Sequence, residues 1–485
     1  MRFFIDQHGC AKNQVDGELI ISLLKKKSWT QTFSADDADL IIVNSCGFIE
    51  SAKTESINAV MSARKMYPKA KILLAGCLAE RYADDLKDDL TEADGFFGNG
   101  RLDEIYKILD PLMRNERPVL VPKQEGVCCG DRDLLLGFKG MAFIKITEGC
   151  NNRCSFCAIP VIRGGLRSRR ADEIVNEIKS LVAGGVYEIN LIGQDLAAYG
   201  TGADDDCFGD GRTSFPADAP GSESGLARLL KMISAIEGVF AVRLLYIHPD
   251  HFNEDILPVM RGDPRFLHYF DIPFQSGDDE IIRAMNRSGS GAGYAALISK
   301  IRAVFPDAAI RTTFMAGFPG ESDEAALNTL RFLRAIQPEW SGCFSYSKED
   351  DTPAHDFKHH IPKKVAEKRA EMLVEAQAQI TRERLRLRVG AEHDVLIEEV
   401  LAPGEESPDE GLAIGRAWFQ APEVDGNVVV RYDRGTESES SAVREGRLVR
   451  VRITSSGDVD LSGDFVADSP LNEKIARGGA IKFAQ

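Results

Sequence analysis

The chain has 485 residues, of which 44% are hydrophobic and 28% are charged, and this balance excludes wholesale disorder. It carries 75 acidic and 59 basic residues, and the net charge of -16 argues against a protein that coats nucleic acid through bulk charge. No apolar run approaches the roughly 18 residues that a membrane span requires. The first residues are typical of a strand and not of a signal peptide, so we expect a cytoplasmic protein whose 10 cysteines serve metal or redox chemistry.

Three cysteines near the start of the chain each follow a short apolar run that is typical of a buried strand. The runs and their cysteines are Phe3 to Ile5 with Cys10, Leu40 to Val43 with Cys46, and Ile72 to Ala75 with Cys77. Helix-forming stretches separate them, from Gly17 to Lys27 and from Glu50 to Met66, which predicts a parallel, Rossmann-like sheet. Ligands bind beyond the carboxyl ends of such strands, so the three cysteines should converge at one edge; ordinary buried cysteines are the alternative.

The middle of the chain alternates strand-like runs with amphipathic helical stretches, after a linker at residues 118–139 that contains Cys128 and Cys129. The predicted strands are Met141 to Ile146, Glu188 to Ile192, Val242 to Ile247, Tyr269 to Phe274, Ile310 to Ala316 and Gly342 to Tyr346. Six strand-plus-helix units predict a partial or complete parallel barrel of the TIM type, whose active site lies where the strands end. Residues 201–223 break the pattern with Asp, Gly, Ser and Pro, and we expect a mobile surface insertion there.

The end of the chain predicts a third unit. A charged helix over residues 362–389 precedes four short strands, Asp394 to Ile397, Ala413 to Ile414, Asn427 to Val430 and Leu448 to Val451. Gly and Pro punctuate these strands, which indicates a small all-β barrel, and about fifteen final residues are expected to form a loose tail. The fold class is therefore a multidomain α/β protein with a C-terminal all-β barrel.

The strongest local signal is a second set of cysteines, Cys150, Cys154 and Cys157, on a loop directly after the first barrel strand. A structural zinc site needs four protein ligands, and the sequence has no fourth cysteine near these three. Three thiolates fit a four-iron cluster with one iron left open, and an open iron can chelate a ligand. The spacing Cys-x3-Cys-x2-Cys after a strand disfavours the alternative of three unrelated cysteines.

This motif and the six-unit barrel resemble the radical S-adenosylmethionine (SAM) superfamily. The resemblance implies that the open iron binds SAM and that an electron from the cluster cleaves it, giving methionine and a 5′-deoxyadenosyl radical. It also implies that Phe156 lies against the adenine of SAM. A loop after the fifth strand, formed by Gly317, Phe318, Pro319 and Gly320, is similar to one that lines the SAM pocket.

Within that superfamily the chain resembles the methylthiotransferases, through the stretch from Gly9 to Asn13, the two later strand-end cysteines and the C-terminal β-domain. All three parts match in order over nearly the whole chain. The resemblance implies a second, auxiliary four-iron cluster that holds the transferred sulfur, on Cys10, Cys46 and Cys77. It further implies SAM as both methyl donor and radical source, and an electron donor of the flavodoxin or ferredoxin type. The implied domains are residues 1–120 (N-terminal domain), 136–375 (radical SAM core) and 381–470 (TRAM domain).

Methylthiotransferases include one class that modifies an adenosine of transfer RNA and one that modifies the β-carbon of an aspartate in a small-subunit ribosomal protein. Four stretches resemble the second class: Ala158 to Gly164, Leu191 to Asp195, His268 to Gln275 and Ala421 to Gly426. The reaction replaces an unactivated C–H bond. No side-chain base can remove such a proton at neutral pH, so a radical cofactor is needed.

The charge of the C-terminal β-domain favours the protein substrate independently. Between Ala391 and Asp468 the chain has 18 acidic residues, 7 arginines and no lysine. A barrel that grips RNA should be basic, so we do not expect RNA binding, whereas an acidic surface would attract a basic ribosomal protein. The alternatives are a domain whose charges only solubilise it, a transfer-RNA methylthiotransferase, and a non-catalytic iron–sulfur protein that docks on ribosomes or RNA.

Other polar residues leave their roles open in the sequence. Glu148 and Asp195 lie near predicted strand ends and could contact SAM, or could be solvated carboxylates. A basic run after the second cysteine set could hold a carboxylate or an electron donor, or could be a solvated helix start; it comprises Arg163, Arg167, Arg169 and Arg170. We assign no role to His248.

Overall fold

The computed structural model describes residues 1–202, 205–211, 223–404, 409–475 and 482–483, in three packed units. None of the helices in these ranges is long and apolar enough to cross a membrane. Much of the predicted insertion at 201–223 lies outside the described residues. Its described part is packed against the body, because Cys207 is buried and its carbonyl accepts a hydrogen bond from the Ala171 amide.

The first unit is a six-stranded parallel sheet flanked by helices, as predicted. Across the sheet the strand order is Thr30–Gln31, Arg2–Gln7, Leu40–Ser45, Lys71–Gly76, Gly95–Phe97 and Val119–Leu120. The helices are Ala11–Lys26, Glu50–Met66, Cys77–Asp89 and Tyr106–Met113, with 3-10 turns at Ala35–Asp37 and Leu102–Glu104. The first helix begins well before the predicted Gly17, because its initial turns are polar yet buried and so carry no apolar periodicity.

The second unit is a parallel six-stranded sheet that forms a partial barrel. Its strands lie side by side in chain order: Met141–Lys145, Glu188–Ile192, Ala241–Leu244, Phe266–Asp271, Ala309–Ala316 and Trp340–Ser345. Its helices are Ile159–Arg163, Ala171–Ala183, Gly225–Ser234, Ile256–Gly262, Asp279–Ala284, Gly291–Val304 and Asp323–Ile336, with 3-10 turns at Pro249–His251 and Pro353–Asp356. A two-stranded hairpin, Thr147–Glu148 with Arg167–Ser168, brackets the second cysteine set. The long helix Lys363–Arg386 packs against the last two strands.

The third unit is a closed five-stranded barrel, which confirms the predicted small all-β domain. Its strands, in order around the barrel, are Glu392–Val400, Glu410–Arg416, Val428–Asp433, Leu461–Asp468 and Leu448–Ser456. A short helix lies at Glu437–Ala442 and a 3-10 turn at Pro470–Glu473. Sequence reasoning missed the strand Leu461–Asp468, because Ser, Gly and Asp interrupt its first half and its apolar second half is largely exposed.

The predicted linker pairs with a described part of the predicted tail, and the rest of the tail after residue 475 lies outside the described residues. The predicted linker contains Leu134–Leu135, and the predicted tail contributes Lys482–Phe483, which pairs with it in parallel. In the same linker Arg132 is buried and donates a hydrogen bond to Glu18 of the first helix, at 2.5 Å. Composition alone concealed these contacts, since each depends on a partner far away in the sequence.

Candidate functional site

The first cysteine set lies at the carboxyl ends of three neighbouring strands. Cys10, Cys46 and Cys77 follow Arg2–Gln7, Leu40–Ser45 and Lys71–Gly76. The thiols of Cys10 and Cys77 lie 3.8 and 3.3 Å from the same amide oxygen, Asn13 Oδ1. The residue after Cys46 is Gly47, where a Cβ would come within 2.8 Å of the Cys77 carbonyl oxygen. The structure therefore brings the three predicted cysteines to one edge of the sheet.

The electrostatics of this set suit the positively charged core of an iron–sulfur cluster. Burial raises the pKa of Cys46 to about 12, and the neighbouring Cys77 and Cys10 raise it further. Burial also raises the pKa of Cys77, against the opposing charge of Arg163. Cys46 and Cys77 would therefore stay protonated on their own, and a positively charged iron–sulfur core would supply the charge that ionises them. Three thiols on one edge are a donor set that fits a four-iron cluster with an open iron.

The second cysteine set lies on the loop between the paired strands Thr147–Glu148 and Arg167–Ser168. The Cys150 amide donates to the Gly164 carbonyl at 3.1 Å, and the Cys157 amide donates to the Cys154 carbonyl at 3.0 Å. Burial raises the pKa values of Cys150 and Cys157 to about 12, with the neighbouring thiols contributing in the same direction. This loop therefore presents three thiols, of which Cys150 and Cys157 would ionise beside a cation.

Neither set has the geometry of a single-ion site. Within the described ranges, no three His, Cys, Asp or Glu side chains lie close enough together to hold one metal ion. In a four-iron cluster each thiolate binds a different iron, so its ligands are spread around the cluster. The arrangement fits a cluster better than a mononuclear metal.

Arg163 connects the two cysteine sets, and the sequence had left its role open. It ends the helix Ile159–Arg163 that follows Cys157, and it is buried. One nitrogen, Nη2, donates to Asn13 Oδ1 at 2.8 Å and to Cys77 Sγ at 3.2 Å. The other, Nη1, donates to Asp16 at 2.7 Å and to Glu148 at 3.0 Å. A residue of the second unit thus reaches a thiol of the first.

Lys145 completes this buried network. Its ammonium lies 2.5 Å from Asp16 and 2.6 Å from Glu148. Burial opposes ionisation of Glu148, but Lys145 and Arg163 outweigh it and lower its pKa to about 2. Glu148 is therefore an ionised part of the interface between the two units and not a solvated carboxylate.

The other arginines of the basic run divide by exposure. Arg169 is buried and pairs with Glu177, whereas Arg170 is exposed and pairs with Asp172. Arg167 is partly exposed, and its side chain donates mainly to backbone carbonyls. The interpretation as a uniformly solvated helix start is therefore wrong. Only the position directly after the cysteine motif could have singled out Arg163.

Asp195 and His248 contact the second cysteine loop. Asp195 is fully buried, accepts a hydrogen bond from Asn152 at 2.9 Å, and accepts another from the His248 amide at 3.1 Å. His248 Nε2 lies 3.8 Å from Cys154 Sγ. Burial lowers the pKa of His248, so its ring is neutral at physiological pH. Sequence reasoning assigned it no role, because a lone histidine carries no spacing signal.

Phe156 and the loop after the fifth strand meet in one hydrophobic cluster. Phe318 is fully buried in it, edge-on to Tyr346 at 5.5 Å and to Phe357 at 6.1 Å, and Phe156 packs against the same cluster. Gly317 and Gly320 have φ values of +75° and +85° and turn the loop back toward the barrel. Phe318, one of the predicted SAM-pocket residues, is therefore buried beneath the loop and stabilises its conformation.

Three families match successive parts of the chain. They are described as uncharacterized protein family UPF0004 (residues 2–98), the radical SAM superfamily (residues 144–333) and the TRAM domain (residues 389–466). Each range lies largely within one of the three folded units.

Several whole proteins similar to this chain are described as ribosomal protein uS12 methylthiotransferase RimO. The protein from Treponema denticola is 52% identical in an alignment of 474 positions that covers 94% of this chain and 99% of that protein. The protein from Desulfotalea psychrophila is 36% identical over 96% of this chain and 100% of its own length.

A solved structure shares the fold. The radical S-adenosylmethionine methyltransferase TsrM from Kitasatospora setae, with cobalamin and a [4Fe-4S] cluster bound, matches at a TM-score of 0.51 and 12% identity. The match covers 73% of each chain. At this identity the likeness describes the architecture alone.

Proposed function

The chain belongs to the family of ribosomal protein uS12 methylthiotransferases, and from this membership we propose that it adds a methylthio group to the β-carbon of an aspartate in uS12. It is a transferase of the radical SAM superfamily and uses SAM and two [4Fe-4S] clusters. The observation that carries the proposal is the single guanidinium, Arg163, that joins a thiol of one cysteine set to the helix following the other. Two cofactor sites that share one junction can serve one substrate.

We propose that Cys150, Cys154 and Cys157 hold the cluster that binds SAM, and that the auxiliary cluster sits on the first set, Cys10, Cys46 and Cys77. When bound, these groups supply the radical chemistry that an unactivated C–H bond requires. The chain's own residues bury one thiol of each set, Cys77 and Cys154, and Phe156 with the loop from Gly317 to Gly320 bounds the SAM side. The corresponding domains are residues 1–120, 136–375 and 381–470.

We propose further that the acidic TRAM domain docks the basic substrate. At one end of its barrel Glu410 lies directly opposite Asp433, and the Glu439 carboxylate accepts from the Asp433 amide at 2.7 Å. Asp409 and Glu437 are exposed beside them, and together these five residues form the acidic end. Like charges in cross-strand register are destabilising, so a basic partner would relieve the repulsion. An RNA backbone would add to it.

Because the proposed substrate is a ribosomal protein, we propose that the reaction takes place in the cytoplasm. The electron that SAM cleavage consumes comes from outside the chain, and a flavodoxin- or ferredoxin-type protein is the proposed donor. Transfer of a methylthio group to transfer RNA is the second candidate function, but the charge of the TRAM domain disfavours it.

The substrate is tested by mass spectrometry of small-subunit ribosomal proteins and of transfer RNA from cells with and without the gene. We expect one uS12 aspartate to carry a methylthio group in place of hydrogen, and to lose it on deletion. Loss of methylthio-adenosine from transfer RNA with unchanged uS12 would transfer the assignment to the other class.

The ligand assignment is tested by iron analysis of the anaerobically reconstituted protein. We expect about eight iron atoms for the unaltered chain and about four for Cys150→Ala or Cys46→Ala, because each set should hold one four-iron cluster. Cys128→Ala is the matched control, since Cys128 lies outside both sets, and it should keep about eight iron atoms. An iron content unchanged by Cys150→Ala would contradict the assignment.

A further inference from the structure

A buried ammonium without a carboxylate partner lies where the first two units meet. Lys12 is only 9% exposed, and its Nζ lies 3.2 Å from the centroid of the Tyr246 ring. Among the described residues no carboxylate comes within ion-pair distance of this nitrogen. A ring face compensates a cation only in part. No described carboxylate at pairing distance offsets the burial that lowers the pKa of Lys12.

Asp271 brings a carboxylate to the backbone of Tyr246, whereas Lys12 lies over the Tyr246 ring. It ends the strand Phe266–Asp271, is 5% exposed, and accepts a hydrogen bond from the Tyr246 amide at 3.2 Å. Burial raises its pKa, against the opposing charges of Arg311 and Lys12. In the part of the chain that is described, no cation lies within ion-pair distance of its carboxylate.

Arg311 is the register partner of Asp271 on the neighbouring strand. Its Nε lies 3.6 Å from Asp425 Oδ1 of the TRAM domain, too long for a hydrogen bond. Its terminal nitrogens make no hydrogen bond within the described residues. Asp425 is itself held by the Tyr269 hydroxyl at 2.6 Å and the Ala421 amide at 2.8 Å. Arg311 therefore faces the same junction as Lys12, and its terminal N–H groups are hydrogen-bond donors that no described residue uses.

Unpaired buried charges are costly, so a fold keeps them where a partner completes the set. Around Tyr246 the cations Lys12 and Arg311 are accompanied by two carboxylates, Asp271 and Asp425. In the described structure neither carboxylate lies within ion-pair distance of Lys12 or accepts a hydrogen bond from Arg311, so the site can still take a group that brings an anion and a hydrogen-bond donor. An aspartyl residue in a polypeptide offers both, as its carboxylate and its backbone N–H. The edge of an adenine brings no charge and would leave Lys12 uncompensated. Lys12 also lies two residues from Cys10, which places this group beside the first cysteine set.

We propose that Lys12 and Arg311 bind the side-chain carboxylate of the substrate aspartate, and that Asp271 accepts a hydrogen bond from the substrate backbone. This subsite rests on the proposed function and deepens it. It would select an acidic side chain and hold its β-carbon beside the first cysteine set. Tyr246 is a positioning residue that fixes Lys12 through its ring and Asp271 through its amide.

The test is a double-mutant cycle on binding, measured by titration calorimetry of purified uS12 against the cluster-loaded enzyme. The four pairings combine unaltered or Lys12→Met enzyme with uS12 that carries either the modified aspartate or asparagine in its place. We expect the asparagine to weaken binding by about tenfold to a hundredfold with unaltered enzyme, and by less than about twofold with Lys12→Met. Arg311→Met should behave in the same way and lies far in the sequence from any cysteine ligand.

Two further readouts separate a binding role from a structural one. Lys12→Met should melt no lower than the unaltered protein in the absence of substrate, because it removes an uncompensated buried charge. Its iron content should be unchanged, and Lys12→Arg should recover part of the affinity. Effects of asparagine and Lys12→Met that simply multiply would overturn the subsite while leaving the proposed function intact. Failure of the unaltered enzyme to bind uS12 at all would overturn both.

Discussion

The side chain of Arg163 has two roles, one structural and one electrostatic. Its planar guanidinium reaches four acceptors on three elements, namely Cys77, Asn13, Asp16 and Glu148. Lysine could keep the charge but not the fork geometry. The same group both fastens the barrel to the first sheet and places a positive charge beside a thiol of the first cysteine set.

We predict that Arg163→Met lowers the midpoint potential of the auxiliary cluster and destabilises the fold. A cationic hydrogen-bond donor near a ligand sulfur stabilises the reduced, more negative cluster, and its loss favours the oxidised state. Breaking the buried pairing with Asp16 and Glu148 should cost about 3–5 kcal/mol in the free energy of unfolding. The potential is measured by an EPR-monitored titration in a background where the second set, Cys150, Cys154 and Cys157, is changed to alanine.

Arg170→Met is the matched control, since Arg170 belongs to the same run but is exposed and pairs only with Asp172. It should leave both the potential and the stability within error. A potential that Arg163→Met does not move would show that the cluster is not beside Cys77, and would reduce Arg163 to a structural link.

At the scale of elements, strand ends were predictable, and so was the helix Glu50–Met66, but the start of the first helix was not. A parallel strand buried on both faces is a continuous apolar run, so the sequence located Leu40–Ser45 and the cysteine that follows it. The helix Ala11–Lys26 buries Asn13, Asp16 and Glu18 in contacts with other elements, and its low amphipathicity concealed its first turns. The residues that complete the site sit on this helix, which is why the cysteines were predicted and their polar partners were not.

The loop after the strand Ala309–Ala316 was likewise predicted only in part. Its resemblance to a family loop predicted that it lines the SAM pocket, but not how the loop is held. At Gly317, with φ of +75°, a Cβ would lie 2.2 Å from the Cβ of Ala366 on the helix Lys363–Arg386. Gly320 also has a positive φ but has open space around it. Only the packed helix shows that Gly317 is required for close approach and Gly320 for its turn alone.

At the scale of the whole molecule, the TRAM barrel is fixed to the radical SAM barrel. Trp340 donates its indole N–H to the Phe419 carbonyl at 2.7 Å. Glu188 pairs with Arg243 of its own sheet at 3.0 Å and with Arg416 of the TRAM barrel at 3.2 Å. Burial opposes ionisation of Glu188, but Arg416 and Arg243 prevail and lower its pKa to about 2. One hydrophobic cluster includes residues of all three units, so the acidic end of the TRAM barrel is held at a set distance from the cysteine sites.

This rigidity makes the docking proposal testable through charge alone. We predict that neutralising three exposed residues of the acidic end, by Asp409→Asn, Glu410→Gln and Glu437→Gln, slows association with uS12 by about tenfold at low salt. The difference should close near 1 M salt, where the Debye length falls to about 3 Å. The rate is measured by stopped-flow mixing of labelled uS12 with the enzyme.

The matched control carries the same change in net charge elsewhere, by Asp85→Asn, Asp88→Asn and Asp89→Asn on the exposed face of the helix Cys77–Asp89. If the acidic end docks the substrate, this control should associate almost as fast as the unaltered enzyme, because only local potential steers the encounter. Equal slowing in both triple variants would mean that net charge alone attracts uS12 and that the acidic end merely solubilises the domain. The triple variant of the acidic end should also be more stable than the unaltered enzyme in the absence of substrate. Glu410→Gln removes the repulsion with Asp433 across the strand pair.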